Sequence, residues 1–136
     1  MKILLSILVA ICCLTACKKG ESLSPGIFGK WELRRVYGGF GYRDSTYKAG
    51  NGTIYQFNSD STYKYFINGK LSTQGVFHYK KHSIQIGDTF FDALILGDDT
   101  SGNITYDNLV SLKGATMTLG TTITDGIASD YQKIGN

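Results

Sequence analysis

From Gly29 to Ile134 the chain is written in short stretches of alternating apolar and polar residues, each ended by residues that bend the backbone. Asn68-Gly69 is the clearest of these stops, because both central positions of a type I′ hairpin turn need positive φ. Asn58-Ser59-Asp60-Ser61, Gly87-Asp88 and Lys113-Gly114-Ala115 punctuate the chain in the same way. Between the stops the period is two: Tyr63, Tyr65 and Ile67 share one face, and Trp31 and Leu33 share another. No long stretch carries a 3.6-residue period, and β-branched and aromatic residues take the place of helix formers.

The resulting expectation is an all-β, up-and-down antiparallel meander of eight or nine strands. The strands are predicted at Lys30–Tyr37, Thr53–Phe57, Thr62–Ile67, Leu71–Tyr79, Ser83–Ile86, Thr89–Leu96, Ile104–Leu112, Thr116–Leu119 and Ser129–Ile134. Arg35 breaks the alternation of the first strand and predicts a bulge that turns Val36 inward. Gly75 inside the fourth predicts a bulge or bend. Lys80-Lys81 is read as a turn, and Gly38 to Gly50 as the longest loop, carrying Phe40, Tyr42 and Tyr47. A meander with alternating faces closes into a barrel or folds into a sandwich. Closure is preferred because it removes exposed sheet edges.

The N-terminus obeys other rules. Met1-Lys2 precedes a largely apolar run from Ile3 to Leu14, too short to span a bilayer, and Leu14-Thr15-Ala16-Cys17 follows. This arrangement resembles the signal and lipobox of bacterial lipoproteins. The resemblance implies cleavage before Cys17, diacylation of its sulfur and acylation of the new amino group. It divides the chain into a signal peptide at 1–16, a lipidated N-terminus and polar tether at 17–28, and a barrel domain at 29–136. Of the three cysteines, Cys12 and Cys13 leave with the signal. No second thiol then remains for a disulfide, so the domain is held by packing. Loss of Lys2 lowers the formal net charge from +3 to +2, without the concentrated basic stripe of a nucleic-acid reader. Lys18, where some inner-membrane lipoproteins carry aspartate, favours the outer membrane. Membrane attachment is through acyl chains, and a monomer is expected.

Gly29-Lys30-Trp31 resembles the Gly-x-Trp that opens the first strand of lipocalins. Tyr55-Gln56-Phe57-Asn58-Ser59-Asp60-Ser61-Thr62-Tyr63, Val110 to Leu119 and Asp130-Tyr131-Gln132-Lys133-Ile134 resemble, in order, hairpins and the closing strand of small lipocalin-like lipoproteins. The resemblance implies a barrel and a small apolar ligand. Lipocalins place an arginine of the last strand over the tryptophan. The three arginines here, Arg34, Arg35 and Arg43, are all early, which leaves Lys133 as the substitute. Gly29, Trp31 and Lys133 are therefore the expected barrel-closing residues.

Tyr55, Phe57, Tyr63, Tyr65, Phe77 and Tyr79 recur at strand spacing on three successive strands and are the expected ligand-cavity lining. The alternative is that they fill the interior, since eight strands can leave room for side chains only. No nucleophile elbow occurs, and the mature chain offers no thiol free of the lipid anchor, so no catalytic residue is assigned. His78 and His82 are two imidazoles without a carboxylate partner, and Asp98 to Asn103 lacks the spacing of a calcium loop. No metal or cofactor is assigned. Two functions follow: a membrane-anchored barrel that binds or carries a small hydrophobic ligand in the cell envelope, or a solid barrel whose loops contact an envelope protein or glycan.

Overall fold

The computed structural model describes residues 26–41, 43–97, 109–121, 123 and 125–136. Within them lie nine strands and no helix: β1 (Gly29–Gly38), β2 (Arg43–Thr46), β3 (Ile54–Phe57), β4 (Thr62–Ile67), β5 (Lys70–Ile86), β6 (Thr89–Leu96), β7 (Leu109–Lys113), β8 (Thr116–Gly120) and β9 (Ile127–Gly135). Every pairing is antiparallel. The sheet runs β2-β1-β3-β4-β5-β6-β7-β8-β9, and β1 pairs again with β9. That last pairing makes the sheet a barrel of eight strands with β2 as an extra strand, and it rules out the sandwich.

The register shows how closure is reached. One edge of β1 gives Gly29–Glu32 to β3 and Arg35–Gly38 to β2, while β9 runs along its other edge. β5 gives Lys70–Val76 to β4 and the stretch from Phe77 onward to β6. Strands that change partner midway are the visible form of the stagger a tilted barrel requires.

Alternation sends Trp31, Tyr55, Phe57, Tyr63, Phe77, Leu94, Val110, Met117 and Tyr131 into one core. Trp31 and Met117 have no solvent exposure, and Phe57 has 1 %. The Asn68-Gly69 turn has φ of 51° and 76°, as its hairpin demands. The bulge on β1 falls between Leu33 and Arg35, opposite β9, and Val36 packs against the core beyond it.

Three local expectations are corrected. The segment read as the loop Gly38–Gly50 contains β2, whose Arg-Asp-Ser-Thr sequence has no apolar alternation because it pairs with β1 beyond the end of β3 and adds no apolar side chain to the core. Lys80-Lys81 is not a turn. Leu71–Tyr79 and Ser83–Ile86 are parts of one 17-residue strand, broken in register between Lys80 and Ile84, with His82 at φ 49°. Of the bulge or bend expected at Gly75, the bulge is absent. Gly75 faces Tyr63 in regular register, and a Cβ there would stand 3.3 Å from the Tyr63 ring, so the glycine makes room for an aromatic. The irregularity falls earlier on β5, between Leu71 and Thr73, opposite Tyr65 and Phe66. The first five residues of the predicted strand Ile104–Leu112 lie outside the described residues, as do Asp98–Asn103 and Tyr42.

Candidate functional site

One end of the barrel is sealed. Trp31 Nε1 donates to the Ile27 carbonyl at 2.7 Å, pinning the incoming chain across the opening. The Lys133 ammonium lies 5.1 Å from the centre of the Trp31 ring and donates to the Gly26 carbonyl at 3.3 Å. Trp31 and Lys133 meet because they are register partners across the β1–β9 seam. Lys133 is 5 % exposed, and burial lowers its pKa. Gly29 completes the arrangement: at φ 114°, a Cβ would stand 2.4 Å from the Gly135 carbonyl oxygen and 2.9 Å from Lys133 Cε. Gly29→Ala is expected to cost about 1–3 kcal/mol from the backbone conformation alone, with the clash added to it. Its thermal melting point, read by circular dichroism, should fall accordingly.

From this seal the aromatics continue inward as one stack. Phe77 packs edge-on to Phe28 at 6.4 Å and to Phe57 at 5.0 Å between ring centres. Phe57 touches Tyr63 at 6.5 Å and lies parallel to Tyr55 at 5.6 Å. Tyr55 stacks on Tyr65 at 4.2 Å and meets Tyr131 edge-on at 5.5 Å. Five of the six residues expected from strand spacing thus form a continuous chain of ring contacts. Tyr131 joins them from β9; its alternation with Lys133 gives it the same inward face, but its distance in sequence hides the contact.

Burial is graded along the stack. Phe57, Phe77 and Tyr63 near the seal are buried, whereas Tyr55 and Tyr65 keep partial exposure and sit with Val36, Leu112 and Leu119 at the margin of the core; Tyr79, also half-buried, stands outside the stack and lines a depression beside Phe28 at the sealed end. The Tyr79 hydroxyl donates to Asp92, which also accepts the His82 N–H at 2.9 Å. Burial works against the Asp92 carboxylate, but these donors, with the His82 and Lys81 charges, hold its pKa below the usual range.

Burial likewise disfavours the phenolates. It pushes Tyr55 up to about 12, helped by Tyr65 and Tyr63, and moves Tyr79 and Tyr131 upward as well. A raised folded pKa contributes stability that is present below the ordinary tyrosine value of 10.0 and lost as pH rises through the folded one. The protein is expected to lose stability between pH 10 and about 12. A spectrophotometric titration should show these tyrosines ionising late, together with unfolding. Early ionisation of every tyrosine would contradict the packing.

Two open depressions flank Phe28 at the sealed end. The larger, about 560 Å³, is lined by Ile27, Phe77, His78, Tyr79, Lys80 and Lys81 among others. The smaller, about 330 Å³, lies against Gly29, Phe57, Asn58 and Asn136. His78 and His82 both belong to β5, and among the described residues no three His, Cys, Asp or Glu side chains are grouped to hold a metal.

A second polar centre escaped the sequence reading. Glu32 points away from the barrel core, yet is only 3 % exposed, because residues 47–53 cover it. It accepts from Arg34 at 2.5 Å and from the N–H groups of Gly50 and Gly52 at 3.1 and 3.2 Å. Asn51 fastens the same loop by donating to the Leu33 carbonyl at 2.8 Å. A carboxylate three residues after Gly29, followed by a glycine-rich Gly50-Asn51-Gly52, was the available signal. On the loops, Phe40 is fully exposed and Tyr47 is 40 % exposed.

No family model, curated protein or solved structure matches the chain. The functional reading therefore rests on the barrel's own chemistry.

Proposed function

We propose that this protein is a lipid-anchored, lipocalin-like barrel that binds or carries a small hydrophobic molecule in the cell envelope. The observation that carries the reading is the graded aromatic interior. Side chains fill the barrel around Trp31, while Tyr55 and Tyr65 remain partly exposed on the same inward face. Such a lining gives an apolar ligand rings to pack against and hydroxyls to orient a polar end. The anchor is Cys17, proposed from its place at the end of Leu14-Thr15-Ala16-Cys17, and the outer membrane is the proposed location.

Protein purified from its native host and denatured in a mass spectrometer is expected to release a small molecule in stoichiometric amount. Titration with fatty acids, retinoids and haem, followed through Trp31 fluorescence, should then rank the ligand classes. Tyr65→Ala is expected to weaken the best ligand by about tenfold, the equivalent of one aromatic contact. No released molecule and no saturable titration would overturn the reading in favour of a solid barrel. Exposed Phe40 and Tyr47 would then be the first contacts to test against an envelope protein or glycan.

A further inference from the structure

The second half of β5 and the first half of β6 form a hairpin whose tip carries two apolar side chains, Ile86 and Phe90, into solvent from opposite faces. Ile86 is 42 % exposed and Phe90 is 54 % exposed, on either side of the Gly87-Asp88 turn. These residues contribute nothing to the aromatic core. At the base of the hairpin, Lys80, Lys81 and His78 line the larger depression, and no carboxylate shares that lining. Asp92 on the same hairpin accepts from Tyr79 and the His82 N–H and lies near Lys81, so it offsets part of this positive charge, and Asp88 is exposed at the turn.

The same depression is lined by Gly26, Ile27 and Phe28, the residues at which the N-terminal segment enters the barrel. The base of the hairpin and the attachment point of the tether are thus on one side of the domain. The segment from Cys17 to Pro25 reaches at most about 30 Å when fully extended. Between Lys81 and the turn at Gly87 the hairpin advances about 20 Å. An anchor at Cys17 therefore holds the hairpin tip within reach of the bilayer surface.

We propose that this hairpin docks the domain on its own membrane. Ile86 and Phe90 enter the interfacial layer, while Lys80 and Lys81 meet anionic lipid headgroups. A basic band behind an exposed apolar tip matches the two parts of a bilayer surface, a charged headgroup layer and the acyl boundary beneath it. A protein partner would use the apolar tip but has no need of a basic depression beside the tether. This docking rests on the lipid-anchor reading. It would set the domain in one orientation and leave the β2 side facing away from the bilayer.

The full chain, processed in cells and carrying Phe90→Cys or, as a control, Thr46→Cys on β2, is labelled with an environment-sensitive fluorophore. It is reconstituted into vesicles of phosphatidylethanolamine and phosphatidylglycerol. An acylated Cys17 leaves the introduced thiol as the one that reacts. Position 90 is expected to be quenched by spin-labelled lipid and position 46 to stay unquenched. Lys80→Ala with Lys81→Ala should reduce the docked population by about fivefold per lysine. Ile86→Ser should also reduce it while leaving the melting temperature unchanged, because the side chain is exposed. Flotation without quenching at position 90 overturns the docking and spares the anchor. Failure to float, with Cys17 reacting with the label, overturns the anchor and the docking together. Quenching that requires native membrane proteins and is absent from pure lipid overturns lipid docking and assigns the tip to a protein partner instead.

Discussion

Trp31→Ala is expected to be the most damaging single substitution in the barrel, at about 3–5 kcal/mol. Its side chain has no solvent exposure, and its surroundings come from β1, β9 and the entering segment at Ile27. Removing the ring opens a void under the seal, strands the Ile27 carbonyl and leaves the Lys133 ammonium facing a cavity. Since natural domains are stable by only ~5–15 kcal/mol, the loss is a large fraction of the total. The melting temperature should fall by roughly 10–20 °C. Trp31→Phe separates the contributions. It keeps most of the packing but loses the N–H donor, and the stranded Ile27 carbonyl should then cost about 1–3 kcal/mol. A Trp31→Ala protein that melted like the parent would show that the barrel end is not held by this residue.

The second large effect is expected at Glu32. Glu32→Ala leaves the N–H groups of Gly50 and Gly52 without their acceptor and takes from Arg34 its ion pair, leaving it the Leu33 carbonyl, and it should cost about 2–4 kcal/mol. The loop 47–53 is the first element to loosen, since it is held to β1 through this carboxylate and through Asn51. The pH dependence has a definite sign. Burial opposes the charge on Glu32, but Arg34 and the two glycine N–H groups outweigh it and hold the folded pKa below the ordinary 4.5. The stabilisation is thus complete above about pH 4.5 and is lost as pH falls through the lower folded value. Asp44, Asp60 and Asp92 are also held low, so acid unfolding alone does not isolate Glu32. The difference in urea midpoint between the parent and Glu32→Gln does. It should be largest near neutral pH and shrink on acidification, whereas a constant difference would mean that the charge has no role.

Both residues show what the chain discloses and what it withholds. Gly29-x-Trp31 is visible as a strand opening, and alternation places Trp31 inward. Its partner Lys133 lies near the opposite end of the chain, and only the β1–β9 register brings the two together. Tyr131 joins the aromatic stack for the same reason. Glu32 was readable as an outward residue, because the period of two assigns faces. That an outward carboxylate is buried depends on residues 47–53 folding back over it, and those residues carry no periodic pattern.

The strands that depart from expectation do so for a related reason. β2 is polar because it pairs on one edge of β1 and buries nothing in the core, so the signal that marks the other strands is missing. β5 continues through Lys80-Lys81 because β6 supplies a partner where β4 has ended, and the exposed lysines tolerate the break in register. Two lysines in succession look like a turn, and only the neighbouring strand shows that they are not.

Strand content, the hairpins and the inward and outward faces are therefore properties of the linear chain. They follow from local backbone preference and a period of two, which act over a few residues. The closure of β1 on β9, the meeting of Lys133 with Trp31, the burial of Glu32 and the placing of the β5–β6 hairpin base beside Gly26, Ile27 and Phe28 arise only in the assembled barrel. Each of these depends on the stagger of strands around the barrel, a property of all the pairings together.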